Sequence, residues 1–117
     1  MANVRMLALA DSGKAILRFR NGLDGPVTIT PLLAGMEGEK GAWRPLVTPI
    51  KLKAGETHNS DVSDPIQQLF PPVKGIDLHQ MRMRIRMLLD PEHVGTPRDV
   101  ECVATFHSGK CTEFVCQ

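Results

Sequence analysis

The run Met81-Arg82-Met83-Arg84-Ile85-Arg86-Met87-Leu88-Leu89 decides how this chain is to be read. Apolar and cationic side chains alternate without a fault from residue 81 to residue 87. Successive side chains of a strand point to opposite faces, so Met81, Met83, Ile85 and Met87 share one face and Arg82, Arg84 and Arg86 the other. Wound as a helix, the same residues would spread the arginines around the axis and leave no clean apolar stripe. The stretch predicts a half-buried strand with a thioether-rich inner face and a row of guanidinium groups outside.

Working outward from it, residues 90–99 read as a loop containing Pro91, Gly95 and Pro97. Residues 100–106 and 112–116 follow as strands joined through His107-Ser108-Gly109-Lys110, a hairpin signal in which Gly109 supplies positive φ. Upstream, Ser63-Asp64-Pro65 opens the one helical signal, near 64–70. Ser63 is placed to cap it, Pro65 sits in the first turn where a missing N–H costs nothing, and Pro71-Pro72 stops it. Ile66, Leu69 and Phe70 would share its buried face.

Nearer the N-terminus, residues 4–10, 15–20 and 27–30 read as short strands of a meander. Asp11-Ser12-Gly13 and Asn21-Gly22-Leu23-Asp24-Gly25 turn between them. Residues 34–41 hold three glycines and three charges and read as a loop. They lack the Gly-Lys-Ser/Thr that seats a nucleotide phosphate. Residues 43–47 and 50–54 are strand candidates that Pro45 and Pro49 push to sheet edges. Residues 57–62 would pair back across the turn at 54–56. Short strands punctuated by Gly/Pro turns predict an all-β fold: a two-sheet antiparallel β-sandwich of one domain, 1–117, with one short helix. The loops at 34–41 and 90–99 are its expected crossovers between sheets.

Composition narrows the function classes. Net charge is +1, so any affinity for anions must come from a local patch. One Trp, four Phe and no Tyr offer little for stacking bases or sugars, which argues against a nucleic-acid surface. No apolar run approaches the roughly 20 residues that span a bilayer. The apolar part of residues 1–10 is shorter than a signal h-region and reads as strand. The three cysteines, Cys102, Cys111 and Cys116, form an odd set that favours free thiols and the cytoplasm. A chain that starts at Met1 is also a form in which a mature secreted domain can be expressed.

Two constellations carry the candidate chemistry. Arg82, Arg84 and Arg86 stand about 7 Å apart along one face, and Arg18 and Arg20 repeat the pattern on another strand. If the two strands share a sheet, all five form one surface for phosphate, carboxylate or sulfate, which arginine grips with a planar fork. The plainer expectation is a solvated face balanced by Glu101 and Glu113, if residues 81–89 pair with 100–106. The second constellation is soft ligands. His79, Met81, Met83 and Met87 share a face that copper(I) could use, although alternating methionine is ordinary core filler. Cys102, His107, Cys111 and Cys116 could hold zinc, but without the close Cys-x2-Cys knuckle. In the expected hairpin, Cys102 and Cys116 face the same way, close enough for a disulfide, while Cys111 and His107 fall off that face. Cys111 would be the odd, exposed thiol. No Ser or Cys sits in a nucleophile elbow, so no enzyme is expected and no cofactor with it.

The run from Phe19 through Asn21-Gly22-Leu23-Asp24-Gly25 to Ile29, followed by Leu52-Lys53-Ala54-Gly55-Glu56, resembles the signature of immunoglobulin-like and cupredoxin-like sandwiches. In these a strand ends in Asn, a polar turn follows, and a Leu-x-Ala-Gly-Glu edge turn recurs. His79-Gln80-Met81 is similar to the His-x-Met pair of cupredoxin-like copper chaperones, but the remaining ligands of that family have no counterparts here. The expectation is a non-enzymatic module that binds a protein partner or anionic groups through the arginines, or self-associates through an edge strand such as residues 4–10. The alternative is a copper, zinc or thiol-redox module.

Overall fold

Residues 3–35, 43–70, 74–90 and 98–117 are described in the structure, a computed structural model. β1 (Val4–Asp11) and β2 (Lys14–Asn21) form a hairpin closed by Ser12 and Gly13. Both turn residues have positive φ, 52° and 79°, as a type I′ turn requires. β6 (Thr57–Asp61) pairs with the other side of β2, which gives a three-stranded sheet in the order β1-β2-β6. The second sheet runs β4 (Arg44–Pro45), β3 (Val27–Gly35), β7 (Leu78–Asp90), β8 (Arg98–His107), β9 (Lys110–Cys116). β5 (Ile50–Leu52) joins β3 beside β4. Every pairing is antiparallel. The architecture is an all-β double layer with one short helix, α1 (Ser63–Leu69).

The core lies between the sheets. Ala15, Leu17 and Phe19 enter it from β2, Val27, Ile29 and Leu33 from β3, Met81, Met83 and Ile85 from β7, and Ala104 and Phe106 from β8. The alternation expected at residues 81–87 holds: Met81, Met83 and Ile85 are buried, Arg82 is exposed, and Arg84 and Arg86 are half-buried. The methionines fill an apolar layer with Leu17, Phe19 and Phe106, the work their flexible side chains suit.

Several expectations need correction. The first three strands are not a meander, because the chain leaves the first sheet after β2 and β3 begins the second. β6 does not fold back on β5; it crosses to β2, while β5 stays on β3. The loops at 34–41 and 90–99 connect strands of one sheet, β3 to β4 and β7 to β8, and so are not crossovers. Most of both loops lies outside the described residues. The crossovers are instead the segments after β2, after β5 and through α1. β3 extends well past residue 30, across Pro31. The Pro31 carbonyl accepts from the Leu46 amide on the side away from β7. Its missing N–H therefore falls where β3 changes partner from β5 to β4, and the ladder to β7 is spared.

Ser63 does not cap α1. Its hydroxyl accepts from the Ala15 amide at 2.8 Å, tying the helix start to β2, and its own amide donates to the Asp61 carboxylate at 3.0 Å. Burial acts to raise Asp61, but the bonds from the Ser63 amide and hydroxyl, with the Lys14 charge, outweigh it and hold the carboxyl below its ordinary range.

Asn21 joins the sheets. Fully buried at the end of β2, it donates from Nδ2 to the carbonyls of Gly25 (2.9 Å) and Leu52 (3.1 Å), and its Oδ1 accepts from the Leu23 amide (2.9 Å). Its backbone amide donates to Glu56 O (2.9 Å) and its carbonyl accepts from Gly55 N (2.7 Å). One residue thus satisfies the crossover loop, the end of β5 and the turn before β6. Asn21→Leu keeps the branched shape but strands one buried carbonyl, one part-buried carbonyl and an amide. Urea unfolding should show a loss of about 3 kcal/mol, and a loss near zero would show that water takes over the bonds.

Candidate functional site

The alternation of β7 sets Arg82, Arg84 and Arg86 on the outer face of the second sheet. Trp43, immediately before β4, joins them there. The Arg86 guanidinium carbon lies 4.3 Å from the centre of the Trp43 ring, and that of Arg84 lies 5.3 Å away. At these distances the negative face of the indole attracts both cations. The ring also restrains two long side chains that would otherwise be free to wave.

The cross-strand partner differs from the two acids expected. Arg86 is in register with Asp99 on β8 and grips it with both arms of its fork: Nε to Oδ1 at 2.6 Å and Nη2 to Oδ2 at 2.9 Å. The Arg86 hydrogen bond, against a smaller opposing effect of burial, holds the Asp99 carboxyl below its ordinary range, and Asp99 raises Arg86 in return. Glu101 stands opposite Arg84, yet among the described residues the two form no ion pair. Glu113 lies one strand further out, opposite Thr105. The Arg84 Nε is buried and has no hydrogen-bond partner among the described residues. Arg82 lines a shallow depression of about 200 Å³ with Glu101, Val103, Val115 and Gln117. The face therefore offers one guanidinium already paired, one held against indole, and one exposed beside a dip of mixed polar and apolar lining.

Arg18 and Arg20 do not belong to this face. They stand on β2, in the other sheet, and are exposed while Leu17 and Phe19 point inward. The two sets look out from opposite sides of the sandwich. Arg18 donates from Nε to the Asn59 side chain at 2.9 Å on its own sheet. The five arginines do not form one surface.

The soft-ligand set is also dispersed. Cys102 and Cys116 oppose each other across β8 and β9 and form a disulfide, with Cα atoms 4.1 Å apart. Their sulfurs are bonded to each other. Cys111 corrects the hairpin expectation: it is buried, not exposed. A bulge makes the difference, because Thr105 pairs with Glu113 and Phe106 with Cys111, which leaves Thr112 as an extra residue of β9. That extra residue turns Cys111 inward and Thr112 outward. The Cys111 thiol donates to the Glu113 carbonyl, and burial raises its pKa. His107 is exposed at the hairpin end, and His79, Met81 and Met83 line the inner side of β7. Among the described residues no three His, Cys, Asp or Glu side chains come together in a metal-binding group.

Trp43 and Asp99 were missed by pattern reading. Asp99 lay within a predicted loop, and no periodicity relates Trp43 to a strand some forty residues later. The one available signal was that Trp43 is the single tryptophan of the chain. Comparison of the chain with protein-family models, with curated proteins and with solved structures finds no match. Among the described residues no helix is long and apolar enough to cross a membrane.

Two outcomes are expected. Because Trp43 is unique, its fluorescence reports on Arg84 and Arg86. A carboxyl held low keeps its contribution above the ordinary carboxylate range and loses it as pH falls through the lowered value. Emission should therefore stay level until below that range, then change as Asp99 protonates and releases Arg86. In Asp99→Asn this acid step should vanish; a step that persists belongs to another group. The disulfide encloses a sequence separation of 14 residues. Cys102→Ala/Cys116→Ala should lower stability by roughly 2–3 kcal/mol in urea titration.

Proposed function

We propose that this protein is a non-enzymatic binding module that takes up carboxylate groups of an acidic protein partner on the outer arginine face of its six-stranded sheet. The observation that carries the reading is the stacking of Arg84 and Arg86 on Trp43, in line with exposed Arg82. Guanidinium groups held by an aromatic ring lose less freedom on binding than free ones, and their forks match carboxylates. Asp99 on Arg86 is an internal example of the same recognition. The depression beside Arg82, with Val103 and Val115, adds an apolar contact for a neighbouring side chain of the partner. Near-neutral net charge and few aromatic rings favour protein over nucleic acid.

Against catalysis stands the chemistry of the one free thiol described. Cys111 is buried, and its raised pKa opposes the thiolate a nucleophile requires. The Cys102–Cys116 bridge favours an oxidising compartment over the cytoplasm.

The test is titration with a short oligo-glutamate peptide, read by Trp43 fluorescence at low and high salt. Binding should weaken as salt rises. Arg82→Ala/Arg84→Ala should lower affinity at least about tenfold, in keeping with the loss of charge-assisted bonds. Unchanged affinity in that variant, or no binding by the unaltered protein at low salt, would overturn the proposal.

A further inference from the structure

β9 lies alongside β1, and the Cys111 amide donates to the Gly13 carbonyl at 2.8 Å, so the outward edge of β1 admits no second strand over residues 5–11. The outer arginine face, by contrast, carries a carboxylate of its own. Asp99 stands directly opposite Arg86 in the β7–β8 ladder. Cross-strand register holds two such residues with Cβ atoms about 5 Å apart. The Asp99 carboxylate is therefore present at Arg86 at a high effective concentration, with no partner molecule needed to supply it.

Its two oxygens take Nε and Nη2 of Arg86, at 2.6 and 2.9 Å, which is the same fork that a second carboxylate would use. The pair is not sealed from water. The side chains of Arg86 and Asp99 keep 32% and 39% of their exposure, and ion pairs this accessible are weak enough to exchange. Arg86 is also held without Asp99, because its guanidinium carbon lies 4.3 Å from the centre of the Trp43 ring. The fork therefore stays in place when the carboxylate turns away. Arg82 and Arg84 have no such occupant: among the described residues neither forms an ion pair.

We propose, resting on the carboxylate-binding reading of this face, that Asp99 is an internal competitor that occupies Arg86 until a partner's carboxylate displaces it. While Asp99 is bound, the face offers Arg82 and Arg84. Once it is displaced, Arg86 becomes a third contact in the same row. The exchange replaces one carboxylate by another on the same two nitrogens, and the freed Asp99 side chain returns to water. A site that is occupied for part of the time binds its ligand more weakly by the fraction left open. Asp99 thereby sets the affinity of the face, and the acidic partner must outcompete it to use the whole row.

Titration of the full chain with oligo-glutamate at low salt, read by Trp43 fluorescence, tests it. Asp99→Asn and Asp99→Ala should each tighten binding by roughly two- to fivefold, the range that an exposed ion pair can withhold. Glu113→Gln removes the same charge from the exposed outer part of the sheet, on β9 opposite Thr105, and should give a smaller gain. Arg86→Gln should cost more affinity in the Asp99→Asn background than in the unaltered protein, by a similar factor. Circular dichroism checks that each variant is folded. Equal gains from positions 99 and 113, or an Arg86→Gln cost that is the same with and without Asp99, would overturn the competition and leave the carboxylate reading standing. Binding by none of the variants, or binding indifferent to Arg82→Ala/Arg84→Ala, would overturn both.

Discussion

The buried amide of Asn21 is the constraint on which the double layer depends. A chain that leaves one sheet and enters another must pass through a segment with no strand beside it, and its carbonyls and amides need partners. Here the crossover after β2 and the turn before β6 meet at one residue, Asn21. Nδ2 closes onto Gly25 and Leu52, Oδ1 onto Leu23, and the backbone onto Gly55 and Glu56. Leucine or alanine would leave the Gly25 and Leu52 carbonyls and the Leu23 amide without their side-chain partner, while the backbone bonds to Gly55 and Glu56 would remain. Aspartate would bring a carboxylate against two carbonyl oxygens. The two separated motifs that resemble a sandwich signature, Asn21 to Gly25 and Leu52 to Glu56, are thus two halves of one hydrogen-bonded junction.

With the sheets joined there, the charged residues are sorted by which layer carries them. Arg18 and Arg20 go to one outer face; Arg82, Arg84 and Arg86 go to the other. On the second of these faces the three arginines stand beside the acids Asp99 and Glu101 of β8. On that face Asp99 occupies one fork, Trp43 holds two guanidinium groups, and Arg82 remains exposed. The bridge between Cys102 and Cys116 lies beneath the same end of the sheet and secures β9 to β8. Cys111, turned inward by one extra residue, is withdrawn into the core.

Much of the local structure was legible in the pattern of residues. Period-two alternation gave the inner and outer faces of β7, the hairpin residues gave the β8–β9 turn, and the facing of Cys102 and Cys116 followed from their place in that hairpin. The short helix was bracketed by Pro65 and Pro71. Failures fell where a neighbour in space overrode a local preference. Pro31 marked no end to β3, because its missing donor faces a change of partner. Ser63 bonds Ala15 on a distant strand in preference to its own helix. The bulge at Thr112 reversed the facing of Cys111, since a shift of one residue moves a side chain to the opposite face.

What the sequence determined by itself was therefore one-dimensional: which residues form strands, which side of a strand is apolar, and where the chain turns. These depend on alternation and on the backbone preferences of glycine and proline, both of which act within a few residues. Strand order was decided only in the tertiary structure, and strand order separates Arg18 and Arg20 from the other arginines. It also chose Asp99 as the partner of Arg86 and laid Trp43 against that row. Such contacts join residues far apart in the chain, and burial of the common core selects among pairings that local pattern leaves equivalent. The row at Arg82, Arg84 and Arg86 could be read from the sequence as a face; its neighbours could not.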